Sequence, residues 1–131
     1  MHMNILKTLT LTAACFIALA AQPAYSADAP KFPAKKALGV VVTNVGMTLY
    51  TFDKDTAGSG KSVCNDACAT NWPPFAAENA QDAGPFTIIT RDDGSKQWAL
   101  KGKPLYLYSK DEKPGDMNGD NINDVWHIIV Q

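Results

Sequence analysis

Chemistry in this chain has to come from few side chains. Beyond the first 26 residues there are two cysteines, Cys64 and Cys68, one histidine, His127, and an acidic loop carrying Asp116, Asn118, Asp120 and Asp124. On a regular helix the Cβ atoms of residues four apart stand ~5–6 Å from each other. A disulfide needs about 3.5–4.5 Å, so a bond between Cys64 and Cys68 requires a turn or a distorted helix end. The spacing is not the Cys-x-x-Cys of thiol oxidoreductases. Haem attachment is excluded as well, because it needs Cys-x-x-Cys-His and Ala69 follows Cys68. A structural disulfide is the expectation; a labile redox pair and a metal thiolate are the alternatives.

Metal chemistry is the other option these residue types open. Asp116, Asn118 and Asp120 stand at positions 1, 3 and 5 of a calcium loop, and Asp124 falls at position 9. Position 6, ordinarily Gly, is Asn121, and position 12, ordinarily Glu, is His127. A polar turn-rich loop is therefore expected, with calcium as the alternative. His127 is read as a structural or surface histidine. Its alternative is a copper or zinc ligand, joined by Met47, Met117 or the thiols. A single histidine leaves general acid–base catalysis without an orienting partner that the sequence identifies, and no Gly-x-Ser-x-Gly element is present. Gly58-Ser59-Gly60-Lys61-Ser62 ends like a phosphate loop, but the first Gly of that motif would fall on Asp55, so it reads as a flexible linker.

The elements that must position these groups are announced by a repeat. Leu49-Tyr50-Thr51-Phe52-Asp53-Lys54-Asp55 returns 56 residues later as Leu105-Tyr106-Leu107-Tyr108-Ser109-Lys110-Asp111. Gly46 is matched by Gly102, and Trp72 and Trp126 follow the two copies at nearly equal distance. In an extended strand Tyr50 and Phe52 share one face, and Leu49 and Thr51 the other; Tyr106 and Tyr108 repeat the arrangement. The aromatic pairs predict a seam where two half-domains pack across a pseudo-twofold axis, with phenol hydroxyls reaching polar partners. Asp55 and Asp111 are read as turn residues accepting backbone N–H groups. An aromatic ligand platform and a pair of binding carboxylates are the functional alternatives.

Composition places strands at Gly39–Thr43 and Met47–Asp53 around an Asn44-Val45-Gly46 turn. Further strands are expected at Phe86–Thr90, Gln97–Leu100, Pro104–Ser109 and Val125–Val130. Val63–Asn71 is the one expected helix, stopped by Pro73-Pro74, and residues 78–84 and 112–124 are expected loops. The fold class is all-β, mainly antiparallel, with one short helix. The half-repeats span about 38–75 and 86–131 and form one small domain.

Ahead of it, residues 1–26 read as a signal peptide. Lys7 precedes fourteen largely apolar residues, Thr8–Ala21, too few for the ~20 a membrane span needs. Ala24-Tyr25-Ser26 offers a cut after Ser26. A lipid anchor at Cys15 is disfavoured because the residues after it stay apolar. Residues 27–37 read as a flexible leader. From Ala27 onward 11 Lys/Arg face 13 Asp/Glu, a net charge of −2 without a basic stripe, which argues against nucleic acid as partner.

With both Tyr-x-aromatic-x-x-Asp copies in place, the chain resembles a bacterial family of exported proteins and lipoproteins known as secreted repeats of unknown function. Three further features fit: Cys64-Asn65-Asp66-Ala67-Cys68-Ala69 running into Trp72-Pro73-Pro74, Lys113-Pro114-Gly115-Asp116, and Val125-Trp126-His127. They span Leu38 to the C-terminus. The resemblance implies export and the duplicated fold, and carries no activity. The expected function is a non-enzymatic binding or interaction module of the periplasm or cell envelope, without a cofactor. Its partner is an envelope protein or a small ligand. A calcium, copper, zinc or redox protein is the alternative.

Overall fold

β-Branched and aromatic residues form short strands, and tight turns with positive φ connect them. The computed structural model describes residues 31–131. The signal expected over 1–26, Cys15 and the first residues of the leader lie outside the described residues. In chain order the elements are β1 (Ala34–Ala37), β2 (Val40–Thr43), β3 (Tyr50–Phe52), α1 (Ala67–Asn71), β4 (Phe86–Thr90), β5 (Lys96–Leu100), β6 (Lys103–Pro104) and β7 (Trp126–Ile128), with a 3-10 turn at Ile122–Asp124 before β7. All pairings among them are antiparallel. The mainly antiparallel all-β architecture with one short helix is therefore the one expected.

Several boundaries differ from expectation. The strand expected over Pro104–Ser109 is confined to Lys103–Pro104, with only isolated bridges at Tyr106, and those expected over Met47–Asp53 and Val125–Val130 shorten to Tyr50–Phe52 and Trp126–Ile128. Structure begins at Ala34, not Leu38, because Leu38 and Gly39 make a two-residue turn that pairs Ala37 with Val40. Both turn residues have positive φ, 51° and 80°, as the tight hairpin turn requires. A leucine at the first position gives no turn signal, so the last four residues of the expected leader are in fact β1. The helix is also shorter than Val63–Asn71. Asp66 has a φ of 53°, which breaks the helical path and leaves only Ala67–Asn71 wound.

The halves interlock. β3 of the first half pairs with β7 of the second, Tyr50 opposite Ile128 and Phe52 opposite Trp126. Reciprocally, Leu107 and Ser109 donate their N–H groups to the carbonyls of Pro73 and Asn71, at 2.8 and 2.9 Å. Each motif strand thus lies against the tryptophan segment of the other half. The strand alternation read from the sequence divides the core in two. Leu49 and Leu105 enter a cluster with Val41, Phe86, Trp98 and Leu100. Tyr50 and Tyr106 enter the other, with Cys64, Trp72 and Trp126. Among the described residues no helix is long and apolar enough to cross a membrane.

Candidate functional site

The motif tyrosines and aspartates form two crossed pairs. The Tyr50 hydroxyl donates to Asp111 Oδ2 at 2.5 Å, and the Tyr106 hydroxyl donates to Asp55 Oδ2 at 2.5 Å. The Tyr of each copy therefore serves the Asp of the other. The second carboxylate oxygen caps a loop in both cases, Asp55 Oδ1 taking Val63 N–H at 2.8 Å and Asp111 Oδ1 taking Asn118 N–H at 2.9 Å. The expected backbone role of these aspartates is present, and the cross-copy phenol contact is added to it. Burial, followed by the bond to a carboxylate, pushes both phenols well above the usual tyrosine range. Burial also raises Asp55, against the opposing effects of Tyr106, Val63 N–H and Arg91.

The rings form a stack of four. Trp72 and Trp126 lie face to face at 3.8 Å, at the centre. Phe52 stacks on Trp126 at 4.1 Å and Tyr108 on Trp72 at 4.2 Å. Tyr50 meets Trp72 edge-on at 5.3 Å, and Tyr106 meets Trp126 in the same manner at 5.1 Å. Every contact has a counterpart under exchange of the copies, as a pseudo-twofold seam requires. Gly119 passes over this stack so closely that an added Cβ would sit 2.6 Å from Trp72.

Around Tyr106 the network extends through residues that the motif does not include. Its hydroxyl lies 2.6 Å from Ser62 Oγ. The guanidinium of Arg91, only 4% exposed, donates to Ser62 Oγ at 3.0 Å and to Gln97 Oε1 at 2.7 Å. It also donates to the carbonyl of Cys64 and to Asn65 Oδ1. Arg91 is the only arginine in the chain, and that was the one sequence signal that could have singled it out. Cys64 and Cys68 form the expected disulfide, with Cα atoms 5.2 Å apart. Cys64 precedes the helix, so the pair spans a turn leading into α1.

The acidic loop is used differently from a calcium loop. Asp116 Oδ2 accepts the N–H groups of Glu112 and Lys113, which draws its carboxyl below the usual range. Asn118 donates to the Lys110 carbonyl, and Asp120 Oδ1 accepts Ile128 N–H. Asp124 sits at a φ of 58°. His127 pairs instead with Asp53, Nε2 to Oδ2 at 2.7 Å. Four of the five residues read as a metal set, Asp116, Asn118, Asp120 and His127, thus serve separate partners, and no cluster of three or more His, Cys, Asp or Glu groups suited to a metal occurs among the described residues.

The His127–Asp53 pair borders an open cleft of about 420 Å³, which Thr51, Lys101, Lys103 and Ile129 also line. Asp53 and the two lysines were not among the residues singled out from the sequence, because the pairing of β3 with β7 brings Asp53 to His127 and the lysines come from the separate β5–β6 hairpin.

A family model described as a secreted repeat of unknown function matches the chain twice, over residues 34–76 and 87–130. No curated protein and no solved structure matches. The two matched segments are the two interlocked halves, each containing one tyrosine of the crossed pairs and one tryptophan of the central stack. The chain belongs to this family of secreted repeats of unknown function.

Proposed function

We propose that the protein is a non-catalytic binding module of the periplasm or cell surface, taking a small anionic ligand in the cleft beside His127. The observation that carries this reading is the division of polar groups between interior and surface. Tyr50, Tyr106, Ser62 and Arg91 are buried, and every buried side-chain polar atom among the described residues has a partner. Groups so enclosed hold the fold and have no spare valence for a substrate. The cleft instead presents Lys101 and Lys103 at the surface beside a half-buried imidazole. Its size lies within the ordinary range for small-molecule sites. The ammonium groups of Lys101 and Lys103 suit carboxylate or phosphate oxygens, beside a His127 whose Nε2 is already held by Asp53.

Titration of the exported protein with inorganic phosphate and with citrate, followed by NMR, tests this. The expected result is saturable shifts confined to Lys101, Lys103 and His127, weakened about tenfold or more by Lys101→Ala with Lys103→Ala. Shifts scattered over the surface and indifferent to those substitutions would overturn the reading. A metal-binding function is the second reading, favoured by the His127–Asp53 pair, which supplies two donors at the cleft mouth. It predicts that Zn²⁺ or Cu²⁺ shifts the imidazole signals at stoichiometric concentration, and that His127→Ala abolishes the effect.

A further inference from the structure

The turn between β1 and β2 is built against local preference. Leu38 adopts a φ of 51°, a conformation that costs a leucine but suits Asn, Asp or Gly. The same leucine is 105% exposed, so no packing compensates. In the other half, the turn between β4 and β5 is Arg91-Asp92-Asp93-Gly94-Ser95, rich in ordinary turn residues. The fold therefore does not need a leucine at such an apex.

Leu38 does not stand alone. Behind it runs an apolar groove lined by Ala37, Val40, Val42, Pro114 and Met117, with Lys35 as its one charged wall residue. Val45, beside Gly46 of the groove, is 76% exposed, and Met117 is 48% exposed. Lys36 adds a second exposed ammonium on β1, in a chain whose exported part has a net negative charge. On the facing loop Asp116 is tied down by Glu112 and Lys113 N–H groups. An apolar apex with exposed ammonium groups at its base is the pattern of a protein surface that dips into an anionic bilayer.

We propose that the Leu38 turn is a membrane-docking tip: it inserts its leucine into the headgroup–acyl boundary of an anionic lipid surface, with Lys35 and Lys36 on the headgroups. A second copy fits less well, because antiparallel pairing of two β1 edges would bring the lysines together. A peptide strand added along β1 would leave the apex of the turn uncovered. The docking is weak and reversible, the contribution of one buried leucine plus two surface charges. The proposal does not rest on any ligand in the His127 cleft.

Co-sedimentation of the exported protein with vesicles of phosphatidylglycerol and phosphatidylcholine, against phosphatidylcholine alone, tests it. The expected result is partition onto the anionic vesicles that falls with added salt. Leu38→Asn should lower partition about tenfold to a hundredfold, the equivalent of one leucine returned to water. Because Asn tolerates the turn conformation, the unfolding midpoint should hold or rise, separating lost docking from lost fold. Lys35→Ser with Lys36→Ser should lower partition about thirtyfold. Absence of binding to anionic vesicles at low salt would overturn the proposal, as would equal binding by Leu38→Asn.

Discussion

Tyr50 and Tyr106, equivalent residues of the two copies, exchange both backbone hydrogen bonds: Tyr50 N–H donates to the Tyr106 carbonyl at 2.8 Å, and Tyr106 N–H to the Tyr50 carbonyl at 2.9 Å. The pseudo-twofold axis therefore passes between them. Their side chains then reach to Asp111 and Asp55, so the repeated motif is completed only when both copies are folded together.

That arrangement makes the crossed pairs strongly coupled. Tyr50→Phe keeps the ring and strips the hydroxyl, leaving the Asp111 carboxylate short of a partner. A loss of about 1–3 kcal/mol is expected by chemical denaturation. In a double-mutant cycle, Tyr50→Phe and Asp111→Asn should couple by about 1 kcal/mol or more. The same cycle between Tyr50 and Asp55, members of one copy, should be near zero. Equal coupling within and between copies would contradict the crossed geometry.

Gly119 is the tightest point of the aromatic stack. Gly119→Ala would put a methyl 2.6 Å from Trp72 and 3.0 Å from Tyr50, and overpacking of this kind costs about 1–3 kcal/mol. The near-ultraviolet circular dichroism of the stacked tryptophans should change with it. Gly94→Ala provides the contrast. It faces open space at a φ of 85°, so backbone strain alone acts there and the aromatic signal should be kept.

Stability should decline at alkaline pH in a defined direction. Burial first, then the carboxylate bond, raises the Tyr50 and Tyr106 phenols above their ordinary value of 10.0. A raised folded-state value contributes stability that is fully present below the unfolded value and is lost as pH rises toward the folded one. The unfolding midpoint should therefore fall as pH climbs past about 10. Phenolate absorbance from these two residues should appear together with unfolding. Ionisation of both in the native protein at the ordinary value would show that the hydroxyls are not enclosed. Asp55 acts in the same direction at acid pH. Its contribution is complete below the ordinary 3.8 and is lost as pH rises through its raised folded value.

Arg91 should matter more than the disulfide beside it. Cys64 and Cys68 close so small a loop that their bond contributes about 2 kcal/mol by chain entropy. Arg91→Met would leave Ser62, Gln97 and the Cys64 carbonyl without a shared donor, at about 3 kcal/mol in total. Denaturation of Arg91→Met beside Cys64→Ser with Cys68→Ser checks the ranking. A reversal would place the anchor of the Ser62–Asn71 segment in the covalent bond.

Local pattern carried the strands and the duplication into view. Alternation put Tyr50 and Phe52 on one face and Leu49 on the other, and the structure uses the two faces for two separate core clusters. The Asp92-Asp93-Gly94-Ser95 turn was legible for the same reason, since its residues favour the turn by themselves. The Leu38-Gly39 turn was not legible, because its leucine adopts a conformation that its own chemistry disfavours. The disulfide was legible in Cys64 and Cys68, the two cysteines beyond residue 26; the loop bonds of Asp116, Asn118 and Asp120 were not, because an acidic loop reads alike whether its carboxylates face a cation or backbone N–H groups.

The sequence by itself determined the two copies, their strand faces and their membership of one domain, since these depend on residue order and the two-residue period of a strand. Only the tertiary structure decided which Tyr meets which Asp, that Trp72 and Trp126 stack on each other, and that Asp53, Lys101 and Lys103 gather beside His127. Those contacts join residues far apart in the chain. Nothing local distinguishes a phenol bonded to its own copy's carboxylate from one bonded across the axis; the antiparallel pairing of β3 with β7 makes that choice.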